Sequence, residues 1–251
     1  MKPKYYLWIF TSLIVLVITV LPAYSQLKRS QVGFQVSTLG ALNVGVYEGA
    51  ATLAELKQHG DFGLGTFAGL DGEMIVLNGK VYQVKANGTT ASPNDEIKTP
   101  FSVVTSFRKE RSLRLTGQMT YQQLQQQINQ QLATDNLPYA VQIQGTFPLL
   151  KVRSVPKQTP PYRPLSEVVS QQQSVFELRH VKGTLVGFRL PKFLENVNVA
   201  GYHFHFITSD RKTGGHLLDG EFLNPTVDVE TLRDWQMTLP NNPSFEQASL
   251  E

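Results

Sequence analysis

Three of the five histidines in this chain, His203, His205 and His216, lie within one short stretch of sequence. His203 and His205 alternate with aromatic residues as in a β-strand, so their rings should point to the same face. The polar, glycine-rich residues 209–215 favour a turn, and a hairpin centred between residues 210 and 211 places His205 opposite His216. Three neutral imidazole nitrogens on one face can hold a zinc ion and leave a position open for water or a substrate.

This spacing predicts a catalytic metal site rather than a structural one. A structural zinc needs a fourth protein ligand, usually a cysteine, and the chain contains none. The alternative interpretation is that three unrelated histidines lie on an aromatic-rich strand.

The slight excess of 23 basic over 20 acidic side chains predicts no nucleic-acid partner, because phosphate binding needs a clustered basic surface. We therefore expect a small-molecule substrate.

The first 25 residues have the features of a secretory signal peptide. Lys2 and Lys4 precede an apolar run over residues 5–21, and Ala23-Tyr24-Ser25 offers a cleavage site of small residues. Cleavage would export the protein to the periplasm or the extracellular space, with no stable membrane association afterwards. The alternative is an uncleaved membrane anchor, since the apolar run approaches the length that spans a bilayer.

The histidines must be positioned by the surrounding strands and helices. The sequence patterns of these elements predict an α+β fold with strand-rich mixed or antiparallel sheets and two or three helices. Four prolines in residues 156–164 suggest a connection between an N-terminal α+β domain, residues 26–164, and a C-terminal β-rich metal-binding domain, residues 165–251. One composite domain is the alternative. The metal site would lie on a β-hairpin near the C-terminal end.

Local patterns predict the individual elements. Capping-box spacing at Thr52 and Thr120 indicates that two helices begin there, and Asn78-Gly79 indicates a tight hairpin. The same kind of analysis predicts that Phe147-Pro148 separates two strands, residues 139–146 and 149–155. It also predicts a helix over residues 166–173 and a second hairpin, of residues 175–181 and 184–190, about Lys182-Gly183.

Three ordered motifs resemble the α-acetolactate decarboxylase family. The first is the histidine segment, residues 201–216. The second is the glycine-rich stretch of residues 59–73, and the third runs from Gly145-Thr146-Phe147 through Lys151-Val152-Arg153-Ser154-Val155. The resemblance covers nearly all of the chain after the signal peptide.

This resemblance implies a zinc-dependent lyase that converts 2-acetolactate to acetoin and carbon dioxide. It implies that Zn²⁺ is held by the three histidines, and that Glu73 and Arg153 are active-site residues. It also implies that Thr66 and Leu70 line the substrate pocket. The family uses a further catalytic glutamate from its C-terminal tail, for which Glu251 is the first candidate and Glu246 the second.

Two other function classes remain open at this level. A cupin-type metal-dependent dioxygenase or isomerase also carries His-x-His on a strand, but a glutamate normally follows within a few residues, where this chain has Thr208, Ser209 and Asp210. A non-enzymatic, exported zinc-binding protein would favour a fourth protein ligand. The exposed strand edges of such a fold also make a homodimer possible.

Overall fold

Strands make up most of the regular structure in residues 31–250, the part of the chain that the computed structural model describes. The strands are β1 (Val32–Val36), β2 (Ala51–Thr52), β3 (Phe62–Thr66), β4 (Glu73–Leu77), β5 (Lys80–Val84), β6 (Thr90–Ala91), β7 (Lys98–Thr99), β8 (Ser102–Thr105), β9 (Arg111–Arg114), β10 (Gln118–Thr120), β11 (Tyr139–Ser154), β12 (Ser174–Leu190), β13 (Gly201–Thr208), β14 (Gly214–Leu223), β15 (Thr226–Thr231) and β16 (Asp234–Thr238).

Short helices connect these strands. They are α1 (Leu39–Asn43), α2 (Leu53–Lys57), α3 (Tyr121–Asn129), α4 (Leu165–Gln172) and α5 (Pro243–Glu246), with one turn of 3₁₀-helix at Lys192–Leu194. The α+β, strand-rich prediction is confirmed, but the described residues contain five α-helices rather than two or three. The additional helices have only four or five residues, too few to show a periodic apolar pattern. None of the helices between residues 31 and 250 has the length and apolarity that crossing a bilayer requires.

Two seven-stranded sheets form the body of the fold. The first sheet has the order β16-β1-β8-β3-β4-β5-β6, with β1 and β16 parallel and its other neighbours antiparallel. The second has the order β10-β14-β13-β12-β11-β15-β9. Strand β14 also pairs with β11, so the four strands from β11 to β14 close on themselves.

Apolar side chains between the two sheets form the central core. The first sheet contributes residues such as Leu64 and Ile75, and the second contributes residues such as Val186 and Ile207. On the outer face of the second sheet, helix α3 buries its apolar side beside Phe206. Helix α2 covers the outer face of the first sheet in the same way. Helices α1 and α4 contribute to a fourth apolar cluster at one end of the fold.

Where the turn chemistry is local, the sequence predictions are confirmed. Thr52 and Thr120 each accept a hydrogen bond from the third residue of the following helix and form a complete capping box. Asn78 and Gly79 connect β4 and β5 with φ angles of 53° and 72°. A two-residue hairpin turn with both angles positive matches the twist of the strands, which explains the asparagine and glycine. Helix α4 also forms, as predicted for residues 166–173.

Two boundaries predicted within the long strands are wrong. Strand β11 continues through Phe147-Pro148, and β12 continues through Lys182-Gly183. The two strands pair with each other from Tyr139↔Arg189 to Ser154↔Ser174. Gly183 lies inside this ladder, where a Cβ atom would be 2.3 Å from the carbonyl oxygen of Ile207. Gly183 therefore permits close strand packing and does not form a turn.

Pro148 changes which face of β11 is buried instead of ending the strand. Before it, Ile143 and Phe147 point into the apolar cluster beneath helix α3, whereas after it Leu150 and Val152 do so. The alternation of odd and even residues is thus reversed. His180, which lies opposite Pro148 in the ladder, has a φ of 50°, and β12 shows the same reversal between Leu178 and Val181. The next residue along β11, Arg153, consequently faces away from that cluster.

The second sheet crosses the domain boundary predicted at residue 164, because β11 precedes this residue and its partner β12 follows it. The first sheet likewise contains β16, from the C-terminal part of the chain, beside β1. The predicted signal peptide, residues 1–25, lies outside the described residues.

Candidate active site

The hairpin of β13 and β14 brings the three histidines together. His205 is the direct cross-strand partner of His216, which confirms the predicted register. His203 is two residues before His205 on the same face. The Nε2 atom of His203 lies 3.2 Å from Nε2 of His205 and 3.2 Å from Nδ1 of His216, and the last two atoms are 3.3 Å apart.

This triangle of nitrogens has the dimensions of a metal site. Tetrahedral zinc with Zn–N bonds of 2.0–2.1 Å has its ligand nitrogens about 3.3 Å apart. The chain's three nitrogens match that spacing, and all three histidines line a cavity. Burial lowers the pKa of all three imidazoles, that of His205 to about 3. The rings are therefore neutral at pH 7 and present lone pairs, which is the form that binds a metal.

The backbone of the first sheet fixes the orientation of His205. Its Nδ1 atom lies 2.8 Å from the carbonyl oxygen of Met74. Since a carbonyl can only accept, Nδ1 carries the proton and Nε2 is left free as a ligand atom. The Nδ1 atom of His203 is buried without a hydrogen-bond partner among the described residues.

Glu73, at the start of β4, lies beside the histidines. Its Oε2 atom is 3.5 Å from Nε2 of His205, and the side chain is only 8% exposed. Burial raises the pKa of this carboxyl group to about 7, although the positive charge of Arg153 opposes the shift. A carboxyl group with such a pKa can carry a proton near neutral pH.

Thr66 and Leu70 also line the cavity, but in different ways. Thr66 is the cross-strand partner of Glu73, and its hydroxyl group donates a 2.7 Å hydrogen bond to the carbonyl oxygen of Gly72. The Thr66 hydroxyl group is thus used to stabilise the turn before Glu73. Leu70 is buried in that turn and has a φ of 56°.

Arg153 reaches the same cavity from β11, where it is the cross-strand partner of His216. The reversal at Pro148 gives it this direction. Within residues 31–250 its guanidinium group has no hydrogen bond or ion pair to another side chain. Its fork of donors remains available for a bound anion.

The three histidines, together with Glu73, Arg153, Thr66 and Leu70, therefore line one cavity of about 120 Å³. We refer to the apolar residues of its lining as the apolar wall, of which the sequence predicts only Leu70. The apolar lining residues are Leu39, Leu42, Leu70, Phe101, Val155, Leu165 and Val199. They come from helices α1 and α4, strand ends and loops that are far apart in the chain, so no local pattern could reveal them.

The two predicted tail glutamates are not part of this lining. Glu251 lies outside the described residues, and Glu246, at the end of helix α5, does not line the cavity. The carbonyl oxygen of Leu250 lies 4.0 Å from where a Cβ atom of Gly40 would be. Gly40 belongs to helix α1, which supplies Leu39 to the cavity wall.

Comparison with known proteins gives a consistent result. The family model described as "Alpha-acetolactate decarboxylase" matches residues 34–251. A protein of that name from Methanosarcina mazei is 45% identical over 89% of this chain and 77% of its own length. One from Klebsiella aerogenes is 43% identical over 92% of this chain and 88% of its own length.

A solved structure also matches. The crystal structure of alpha-acetolactate decarboxylase from Bacillus subtilis strain 168 superposes with a TM-score of 0.85 and 36% identity, covering 88% of this chain and 94% of that one. The match includes both sheets, since it leaves little of the described chain uncovered. From the sequence motifs, the histidine hairpin and these similarities, it follows that this chain belongs to the alpha-acetolactate decarboxylase family.

Proposed function

We propose that this enzyme converts 2-acetolactate to acetoin and carbon dioxide with a zinc ion held by His203, His205 and His216. The observation that carries the proposal is the triangle of three neutral imidazole nitrogens, 3.2–3.3 Å on a side, facing a cavity that also contains Arg153 and Glu73. The names of the relatives support the reaction. They favour it over a cupin-type oxygenase or isomerase and over a non-enzymatic zinc-binding protein.

The substrate explains why such a site is useful. In 2-acetolactate the carboxylate is attached to a carbon next to a ketone, so the electrons of the breaking bond can move onto the ketone oxygen. When bound, zinc would supply a Lewis acid that polarises this oxygen. The protein must then bind the carboxylate, stabilise the negative charge that develops and return a proton to carbon.

Arg153 is suited to the first two tasks. Its guanidinium group is a planar fork of donors that makes no hydrogen bond or ion pair to another side chain within the described residues, and Arg153 is the cross-strand partner of His216. A fork of this kind matches the two oxygens of a carboxylate. As carbon dioxide leaves, the same positive charge would stabilise the negative charge that remains.

Glu73 is suited to the return of the proton. Its carboxyl group is buried and has a pKa of about 7, so a large fraction is protonated at neutral pH. A donor fixed on one side of the cavity delivers its proton to one face of the planar intermediate and gives a single stereoisomer. Glu251 stays a second candidate for this role.

The apolar wall is suited to contact the apolar part of the substrate. Its two methyl groups are small and apolar, and Leu42, Leu165 and Val199 line the same cavity as the polar groups. These side chains exclude water, which strengthens the electrostatic interactions on the polar side.

The test is acetoin release from 2-acetolactate by the purified protein. We expect activity that is lost after treatment with a chelator and restored by Zn²⁺. His205→Ala should lose bound metal and activity together, whereas His180→Gly, a change at an exposed histidine outside the site that keeps the positive φ of this position, should lose neither. Full activity of the metal-free protein would refute the zinc site, and no acetoin from the metal-loaded protein would refute the reaction.

Export and dimer formation are separate proposals that rest on the sequence alone. The lysines, apolar run and small residues of positions 1–25 support cleavage after Ser25. The mass of the protein recovered from the producing cells would show whether these residues are absent. Sedimentation of the same sample would show whether it is a monomer or a dimer.

A further inference from the structure

The turn that precedes Glu73 has an unusual backbone. Gly69, Leu70 and Gly72 have φ angles of 73°, 56° and 83°. Leucine rarely adopts a positive φ, and Leu70 does so while its side chain is buried against the cavity. Such a conformation persists only where the surrounding structure holds it in place. The position of Glu73 therefore depends on what holds this turn.

Two side chains, from Gln83 in β5 and from Lys85 directly after β5, bind the centre of the turn. The amide Nε2 of Gln83 donates a 2.6 Å hydrogen bond to the carbonyl oxygen of Asp71, and Nζ of Lys85 forms a 2.8 Å ion pair with the Asp71 carboxylate. We refer to Gln83 and Lys85 as the Asp71 clamp. Neither residue lines the cavity.

The environment of Gln83 indicates that its amide group is there for this contact. Gln83 is only 4% exposed and is the cross-strand partner of Met74, so it points to the outer face of the first sheet. Its neighbours on that face, Val76 and Val81, are apolar. A buried amide among apolar side chains is costly unless it is hydrogen-bonded.

We infer that Gln83 and Lys85 are positioning residues for the reaction: by fixing Asp71, they hold the Glu73 carboxyl group beside His205. Asp71 is two residues before Glu73, and the bond from Thr66 to Gly72 fixes the residue between them. A shift of about 1 Å at a reacting group can cost as much as a hundredfold in rate. The inference uses the proposed decarboxylation only for its kinetic test.

Matched variants separate an effect on the position of Glu73 from an effect on the stability of the whole protein. Gln83→Met keeps the length of the side chain but removes the donor, and Lys85→Met removes the charge. We expect each to lower kcat roughly tenfold, with KM and zinc affinity unchanged. Lys85→Arg keeps a cation and should retain most of the activity. Lys80→Met, at an exposed position on the same strand, should behave as the unchanged protein does.

A combined variant tests whether the effect passes through Glu73. If it does, Gln83→Met will not reduce kcat further when Glu73 is already replaced by glutamine. An additional tenfold loss in that background would overturn the inference. So would normal kcat in both clamp variants.

Hydrogen exchange provides a measurement that needs no substrate. Backbone amides in residues 69–73 should exchange faster in Gln83→Met and Lys85→Met than in Lys80→Met, because the turn opens more easily. Unchanged exchange rates in both variants would show that Gln83 and Lys85 do not hold the turn. Faster exchange in a protein that releases no acetoin would support the clamp and refute the proposed reaction, so the two failures are distinguishable.

Discussion

The surroundings of His203, His205 and His216, as much as their positions, suit these three histidines to bind a metal. Burial is the largest cause of the lowered pKa of His203, His205 and His216, and the charge of Arg153 acts in the same direction. The folded protein thus keeps these rings unprotonated at pH values where a free histidine begins to accept a proton. The Met74 carbonyl oxygen accepts the Nδ1 proton of His205 and leaves Nε2 as the nitrogen that could bind a metal.

Arg153→Lys tests the role of the guanidinium fork. Lysine keeps the positive charge but can offer only a point donor to the carboxylate. We expect kcat/KM to fall about 10- to 100-fold, which corresponds to about 1.4–2.7 kcal/mol of lost transition-state stabilisation. Bound zinc, measured by elemental analysis, should be unchanged. Unaltered steady-state kinetics would show that Arg153 does not bind the substrate.

At the scale of elements, the paired irregularity at Pro148 and His180 determines where Arg153 points. Without it, the alternation that places Ile143 and Phe147 in the core would also direct Arg153 there. The apolar Leu150 and Val152 take the core positions instead. The exposed His180 accommodates the reversal with its positive φ.

His180→Val should therefore be destabilising, because a β-branched residue strongly disfavours positive φ. We expect the free energy of unfolding in urea to fall by about 1–3 kcal/mol. His180→Gly should stay within about 1 kcal/mol of the unchanged protein, since glycine adopts this conformation freely. Arg179→Val, at the exposed neighbouring position, is the control. Equal stability of the valine and glycine variants would contradict the explanation.

The same elements show how far the sequence could predict the fold and the site. The Asn78-Gly79 hairpin and the pairing of His205 with His216 were predictable, because turn residues and alternation are local signals. The predictions at Pro148 and Gly183 are wrong, because the role of each residue depends on strands that are distant in sequence and pair with it. Glu73 and Arg153 could be associated with the histidines only through a family resemblance. No pattern indicated the apolar wall.

At the scale of the whole molecule, we propose that residues 31–250 fold as one composite domain. The pairing of β11 with β12 and of β1 with β16 joins both parts of the chain. Glu230 on β15 adds a buried connection between the sheets. Its carboxylate oxygens accept hydrogen bonds from the backbone N–H groups of Gln31, before β1, and Arg108, after β8.

Glu230 should give stability a specific pH dependence. Burial raises the pKa of its carboxyl group from 4.5 to about 7. Between these values the folded state binds the proton more tightly than the unfolded state, so stability decreases as pH rises. The advantage of the unchanged protein over Glu230→Gln in the free energy of unfolding should shrink by at most about 3 kcal/mol between pH 4.5 and 8.

Urea unfolding of both proteins at several pH values measures this difference. Glu96→Gln, an exposed carboxyl group in a loop, serves as the control and should show no such trend. A difference that stays constant or grows with pH would show that Glu230 is not the titrating group.

The most direct test of the metal site is anomalous X-ray diffraction from crystals of the purified protein, with data on both sides of the zinc absorption edge. We predict one zinc peak per chain, about 2.0–2.1 Å from Nε2 of His203, Nε2 of His205 and Nδ1 of His216. Crystals of active protein with no peak at these nitrogens, or with the three rings turned apart, would contradict it.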